Sequence, residues 1–105
     1  MSTDREAQFR KLVEQFPTSP LGYFSLGKLL LEKQRYAEAA EALRSAAQLA
    51  PGYVAALVAL GEALAKGGQS AEARAVWEEA RTRALEQNHP SLAAEVDEFL
   101  TELQA

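Results

Sequence analysis

The chain has 105 residues, of which 48% are hydrophobic and 25% charged, so it can form one domain around one core. It contains no cysteine, which excludes disulfides, thiolate nucleophiles and thiolate metal sites. The net charge of −4 comes from residues 91–105, because the basic and acidic side chains of residues 1–90 balance. The chain therefore lacks the clustered Lys and Arg that nucleic-acid binding requires.

The sequence also carries an expectation about location. No apolar run approaches the ~20 residues that span a bilayer. The first residues lack a basic segment followed by an apolar one, so a secretory signal is not predicted. We therefore expect a cytoplasmic protein with no membrane-inserted segment.

The first predicted helix covers residues 4–16. Its apolar residues recur at intervals of three and four and form one stripe, which consists of Phe9, Leu12, Val13 and Phe16. Thr3 followed by Glu6 fits a capping box, in which each side chain satisfies a backbone donor of the other residue. Pro17 ends this helix.

Proline, glycine and serine separate the remaining helices. Ser19 suits the N-cap of the second helix and Pro20 its first position, where a missing N–H costs nothing. Ser70 is predicted to cap the fifth helix. The predicted ranges, in chain order, are 20–33, 36–49, 54–66, 71–86 and a sixth helix within 91–104. Connections this short predict antiparallel neighbours.

A structural unit is repeated with a period of 34 residues. Gly27 and Gly61 are separated by this interval. Six further pairs share it, namely Tyr23 and Leu57, Leu26 and Leu60, Leu30 and Leu64, Ala39 and Ala73, Leu43 and Trp77, and Ala46 and Ala80. Such a period predicts a solenoid of paired helices, whose apolar faces are buried only when neighbouring pairs stack.

With these residues the chain resembles the tetratricopeptide repeat family, as two consecutive units at 20–53 and 54–87. The resemblance implies an all-α, right-handed superhelical solenoid of antiparallel helix pairs that forms a single domain over 1–105. We expect the helix at 4–16 to cap its N-terminal end and the helix at 91–104 to cap its C-terminal end. Gln34 stands where the family usually has glycine between the two helices of a unit, so this turn is predicted to be strained or reshaped.

The sequence predicts neither catalysis nor a cofactor or metal site. His89 is the only histidine, and it precedes a proline in a predicted turn. Metal binding needs several converging ligands, which this chain could supply only as carboxylates. Trp77 is assigned to the repeat core. The chain is therefore interpreted as a binding protein and not as an enzyme.

The resemblance implies that the first helix of each unit lines a concave groove. The groove residues it assigns are Leu21, Phe24, Ser25, Lys28, Leu31, Glu32, Tyr53, Ala55, Val58, Ala59, Glu62 and Ala65. One subgroup of the family clamps a terminal carboxylate with lysine and asparagine. Here Phe24 and Val58 stand at the lysine positions, and Lys28 and Glu62 at the asparagine positions, so the clamp is absent.

An apolar strip edged by one basic and one acidic residue suits an apolar or amphipathic peptide of a protein partner. Three alternatives remain open at this point. A terminal helix of the same chain could fill the groove, or the groove could bind a second copy, as in a self-associating scaffold protein. For the acidic last helix, a solvated face is the more common interpretation, and an acidic docking patch is the alternative.

Overall fold

The computed structural model of the chain describes residues 2–104, and it describes side chains for residues 4–104. Within this range the regular secondary structure consists of helices alone, with no strand. The helices are α1 (Ser2–Gln15), α2 (Pro20–Glu32), α3 (Tyr36–Leu49), α4 (Val54–Lys66), α5 (Ser70–Glu86) and α6 (Pro90–Gln104). None of these described helices has the length and apolar character needed to cross a membrane.

Each helix packs against the next one in the chain, and α2 also contacts α4. The pairs α2–α3 and α4–α5 therefore form two stacked units, with α1 against α2 at one end and α6 against α5 at the other. Connections of three or four residues join the helices, as expected for antiparallel neighbours. The predicted all-α solenoid of helix pairs is confirmed.

Of the two predicted serine N-caps, the structure confirms one and contradicts the other. The Ser19 hydroxyl accepts a hydrogen bond from the backbone N–H of Leu21 at 3.3 Å, and Pro20 occupies the first position of α2. Ser70 is not a cap, because α5 begins at Ser70 itself and Gln69 stands at the N-cap position without a side-chain hydrogen bond. The N-terminal turn of α5 is therefore closed by backbone contacts alone.

A left-handed residue closes three of the turns. Gln34 has φ 62°, Gly68 has φ 86° and Asn88 has φ 61°. Gln34 and Gly68 are separated by the repeat period and end α2 and α4 in the same way, with the following backbone N–H bonded back into the helix. The left-handed conformation costs a non-glycine residue about 1–2 kcal/mol. The predicted strain at Gln34 is therefore present in the backbone.

The two helices of each unit cross at a glycine. A Cβ placed on Gly27 would lie 2.5 Å from Cγ of Leu43, and one placed on Gly61 would lie 2.6 Å from Cε2 of Trp77. Both distances are far shorter than ordinary van der Waals contact, so neither position accommodates a side chain without movement. Alanines complete the crossings, and Ala39, Ala46, Ala73 and Ala80 have no exposed surface.

The core consists of two adjoining clusters. The first lies between α2, α3, α4 and the start of α5, and contains the fully buried Leu43. The second joins α4, α5 and α6 around Trp77 and Val96, and Phe99 stacks on Trp77 with ring centroids 5.2 Å apart. The inward face of α6 therefore extends the core beyond the second unit.

Glu6 ties α1 to the turn between α2 and α3. Its carboxylate accepts hydrogen bonds from Lys33 Nζ and Arg35 Nη1, both at 2.8 Å, and from Arg10 Nε at 3.1 Å. These three cations lower the pKa of Glu6 from 4.5 to about 2. The Thr3 side chain of the predicted capping box lies outside the described residues. Glu6 thus contacts a distant segment of the chain in addition to its own helix.

The apolar stripe of α1 is only partly covered. Phe9 and Val13 pack against the first cluster, whereas Leu12 and Phe16 remain 38% and 57% exposed. Leu12 corresponds by the repeat period to Ala46, which is completely buried between two helices. Since α1 has a neighbour only on the α2 side, the rest of its stripe faces solvent.

Candidate functional site

The candidate site is the surface formed by α2, α4 and α6. Of the predicted groove residues, Leu21 is 64% exposed. Ala55, Lys28 and Glu32 are also exposed. Six further groove residues are partly exposed, namely Phe24, Ser25, Tyr53, Val58, Glu62 and Ala65. These residues lie on the first helices of the two units or directly before the second one.

An aromatic pair joins α2 to the segment that leads into α4. The rings of Phe24 on α2 and Tyr53 before α4 have centroids 4.9 Å apart and are tilted by 40°. Phe24 also packs against the first core cluster. Both rings keep part of their surface exposed, and Leu21 projects one turn earlier on α2. Aromatic rings held in this way offer apolar contact area with little loss of conformational entropy on binding.

Leu31 and Ala59 occupy less accessible positions. Both belong to the first core cluster, with exposures of 9% and 3%. Their side chains are used mainly for packing between α2 and α4. They therefore support this surface from below, and a ligand could contact them only to a small extent.

Val58 lies between the surface and the second cluster. Its side chain packs against that cluster, and its carbonyl oxygen accepts a hydrogen bond from Trp77 Nε1 at 3.0 Å. The bond satisfies the only polar atom of the buried indole. The orientation of Trp77 is consequently fixed by the backbone of α4.

A depression lies beside the predicted strip, between α4, α5 and α6. It has a volume of about 520 Å³, and we call it the C-terminal cleft. Four apolar residues form its floor, namely Ala65, Trp77, Phe99 and Leu103. Three charged residues form its rim, namely Glu62, Lys66 and Glu102. Only Glu62 and Ala65 of this set were predicted as groove residues.

A second depression of about 330 Å³ lies between α2 and α4. Its lining includes Lys28, Leu31 and Glu32, together with Gln34 and Tyr36 at the adjacent turn. Glu62 and Lys66 line both depressions. The two depressions therefore adjoin each other across the C-terminal half of α4.

Some charged residues around the cleft form ion pairs, and others do not. Glu62 binds Lys66 at 2.9 Å, and this contact raises the pKa of Lys66. On α6, Asp97 binds Arg81 of α5 at 2.6 Å. The three remaining acidic residues of α6 make no ion pair within the described part of the chain, and they are Glu95, Glu98 and Glu102. The C-terminal side of this surface is therefore electronegative.

The described residues offer no cluster of three or more His, Asp or Glu side chains that could hold a metal ion. His89 lies in the exposed turn before α6, where its backbone N–H donates to the carbonyl of Ala84 at 2.8 Å. The candidate surface is thus built from apolar, aromatic and charged side chains, which are groups suited to binding.

Solved structures resemble the chain closely in fold. The TPR2B domain of yeast Sti1, in its complex with pHsp70, superposes with a TM-score of 0.92 at 21% identity, over 98% of this chain and 82% of that one. Protein BPP2914 from Bordetella parapertussis superposes with a TM-score of 0.81 at 28% identity, over 94% of this chain and 86% of that one. No curated protein is significantly similar in sequence.

Family profiles match most of the chain. One profile, described as tetratricopeptide repeat, matches residues 30–94, and a second with the same description matches residues 5–54. Together they include both predicted units and most of α1. The 34-residue period, the glycine crossings and the stacked helix pairs agree with these matches. The chain belongs to the tetratricopeptide repeat family.

Proposed function

We propose that the chain is a non-catalytic interaction module that binds an apolar or amphipathic peptide segment of another protein along the surface of α2 and α4. The observation that carries this proposal is the exposure of Leu21, 64% of whose surface is accessible, next to the Phe24–Tyr53 pair. Ala55 and Val58 continue this apolar strip on α4. Contiguous exposed apolar surface on a folded domain is typical of an interface.

The strip combines a rigid part with a part that a ligand can cover. The aromatic pair is held by its own ring contact and by the first core cluster, so binding would order it little further. Leu21 contributes a large side chain with few existing contacts. Burying apolar surface contributes about 25 cal/mol per Å², so covering Leu21 alone would favour binding measurably.

The charges of this surface support an apolar ligand over an acidic peptide terminus. Phe24 and Val58 replace the lysines of the family's carboxylate clamp, and Glu62 places a negative charge near the same surface. The Sti1 domain was solved with pHsp70, but at 21% identity the similarity concerns the fold alone. The ligand class is therefore argued from this chain's own side chains.

Leu21→Asp tests the proposal with little risk to folding, because the side chain is largely solvated. Leu85→Asp is the matched control, since Leu85 is 49% exposed on α5. Proteins captured from an extract of the source cells by the immobilised wild type would be compared with those captured by both variants. We expect Leu21→Asp to weaken binding of a captured partner about tenfold or more, because a carboxylate would be desolvated in the contact.

Titration of the isotope-labelled domain with that partner would then locate the contact. Amide shifts centred on α2 and α4, with Leu85→Asp binding as the wild type does, support the proposal. Equal loss of binding in both variants would contradict it. Shifts confined to α6 would instead indicate the acidic-patch alternative.

Self-association through the same surface is the second candidate. It is favoured by Phe16, which is 57% exposed just before the turn that leads to Leu21. Sedimentation equilibrium over a wide concentration range distinguishes the two. A molar mass that rises with concentration in the wild type but not in Leu21→Asp supports self-association, and a constant monomer mass in both excludes it.

A further inference from the structure

We propose that the C-terminal cleft binds an apolar side chain of a peptide segment that carries arginine or lysine on both sides of this anchor. The inference rests on the proposed function, because it names the class of segment that the surface of α2, α4 and α6 recognises. It concerns a different part of that surface, so its failure can be distinguished from a failure of the peptide-binding proposal.

The floor of the cleft is preformed and apolar. Trp77 is 4% exposed, held by its hydrogen bond to the Val58 carbonyl and by the ring of Phe99. Ala65 and Leu103 complete the floor from α4 and α6. A volume of about 520 Å³ falls within the ~300–1,000 Å³ range of small-ligand pockets and can hold one or two apolar side chains.

The rim of the cleft selects the charge of its occupant. Lys66, its only cation, is already bound to Glu62 at 2.9 Å. Glu102 makes no ion pair within the described part of the chain. Glu95 lies on the same side of α6 as the cleft, because it precedes Phe99 by four residues and Glu102 follows Phe99 by three. A cationic segment would therefore be attracted to this rim.

The same charges argue against other occupants. Phosphate groups of nucleic acids or anionic lipids would meet unpaired carboxylates on α6, which oppose the contacts such ligands need. An acidic peptide would be repelled in the same way. A basic peptide with an apolar centre is the class that matches both the floor and the rim.

The spacing of the carboxylates sets the spacing of the cations. Glu95 and Glu102 are separated by seven residues of α6, which correspond to about 10 Å along a helix axis. An extended peptide advances about 3.3 Å per residue and its side chains alternate between two faces, so two cations four residues apart share one face about 13 Å apart and can reach both carboxylates through their long side chains. The residue midway between them lies on the same face, toward Phe99 and the apolar floor. An Arg-Ser-Phe-Ser-Arg segment has this pattern.

The probe is a synthetic peptide with blocked ends and a central Arg-Ser-Phe-Ser-Arg segment flanked by glycine and serine. Trp77 is the only tryptophan of the chain and forms part of the floor, so its fluorescence reports occupancy directly. We expect saturable changes in Trp77 emission and amide shifts at the cleft residues. The same peptide with glutamate in place of both arginines should not bind.

A matched pair of variants tests the local role of the rim. Glu102→Lys and Glu86→Lys change the net charge equally, and both side chains are exposed. Glu86 does not line the cleft and lies nine residues beyond Trp77 on α5, which corresponds to about 13 Å along the helix axis. We expect Glu102→Lys to weaken the probe about fivefold to tenfold in about 50 mM salt, with a smaller effect in about 500 mM salt. Glu86→Lys should change the affinity less than about twofold.

Three outcomes would overturn the inference. These are the absence of saturable probe binding, equal weakening by both lysine variants, and amide shifts that avoid the cleft. A natural partner that is sensitive to Leu21→Asp but insensitive to Glu102→Lys would also overturn it, while the peptide-binding proposal would stand. If Leu21→Asp weakened the binding of no partner, the peptide-binding proposal on which this inference rests would itself be contradicted.

Discussion

Replacing Gly61 with alanine adds one methyl group at the crossing of α4 and α5. The new Cβ would lie 2.6 Å from Cε2 of Trp77 and nearer still to the indole atoms Nε1 and Cδ1. The indole cannot simply rotate away, because it is 4% exposed, donates to the Val58 carbonyl at 3.0 Å and stacks on Phe99. The helices must separate or the ring must be displaced.

The expected cost combines three effects. Overpacking of a core site destabilises by about 1–3 kcal/mol. Weakening the indole hydrogen bond removes about 0.5–1.5 kcal/mol. Alanine is favoured over glycine inside a helix by about 1 kcal/mol, which offsets part of this loss. We therefore expect Gly61→Ala to lower the free energy of unfolding by about 1–3 kcal/mol.

The first unit provides an internal comparison. At Gly27 the added Cβ would meet Cγ of Leu43 at 2.5 Å and Cδ2 at 2.7 Å. A leucine side chain can change its rotamer, whereas an indole ring is rigid and moves only as a whole. Gly27→Ala should therefore be destabilising by the same mechanism but by a smaller amount than Gly61→Ala.

Urea unfolding followed by circular dichroism measures these losses, and Trp77 emission reports the local displacement. A double-mutant cycle with Trp77→Leu, which introduces the residue found at the equivalent position of the first unit, isolates the contact. Gly61→Ala should cost about 1 kcal/mol less in the Trp77→Leu background. Unchanged stability and emission in Gly61→Ala, or a coupling free energy near zero, would refute the close contact between Gly61 and Trp77.

Two further predictions concern the turn and the ionic network. Gln34→Gly should raise the free energy of unfolding by about 0.5–1 kcal/mol, because relief of the left-handed strain exceeds the entropy cost of glycine. Gly68→Gln should lower the free energy of unfolding by a similar amount. Thermal melts in which both substitutions change the stability in the same direction would contradict the turn assignment. Glu6 has its pKa lowered to about 2, so its contribution is present above pH 4.5 and is lost as the pH falls from 4.5 toward 2. Glu6→Gln should therefore lower the free energy of unfolding at pH 7. In urea unfolding at a series of pH values, its free energy of unfolding should fall less between pH 4.5 and 2 than that of the wild type, whereas Glu14→Gln on the same helix should resemble the wild type.

The helices were predictable because the signals that end them are local. Proline, glycine and serine separate the helical stretches, and the predicted ranges agree with the observed helices to within one or two residues at each end. The repeat period added tertiary information, since Gly27 and Gly61 had to face a neighbour in the same way. Strain at Gln34 could be expected because the family usually has glycine at that position, and the structure shows that Gln34 shares its left-handed conformation with Gly68, one repeat period later.

Glu6 shows where local reasoning stops. A capping box explains a glutamate near a helix start from four consecutive residues. The observed partners include Lys33 and Arg35, which lie at the far end of α2 and before α3. Their approach depends on how α1 packs across α2. That arrangement is a tertiary property, and the pattern of charges along the sequence contains no direct sign of it.

The candidate surface was predictable only as far as the repeat period extends. Pro20 and Val54 begin α2 and α4 at an interval of 34 residues, so the strip from Leu21 to Val58 could be assigned by register. Pro90 begins α6 after 36 residues, because α5 extends to Glu86. This shift breaks the correspondence on which the groove assignment depended.

The C-terminal cleft lies where the period is interrupted, and its floor combines Trp77, which the sequence assigned to the core, with Ala65, which it assigned to the groove. Phe99 of α6 stacks on Trp77 and lines the same cleft. A regular 34-residue continuation would place a different set of α6 side chains beside α4. The cleft therefore depends on the longer α5 and on the position of Phe99, and shortening α5 to restore the period would be expected to remove it.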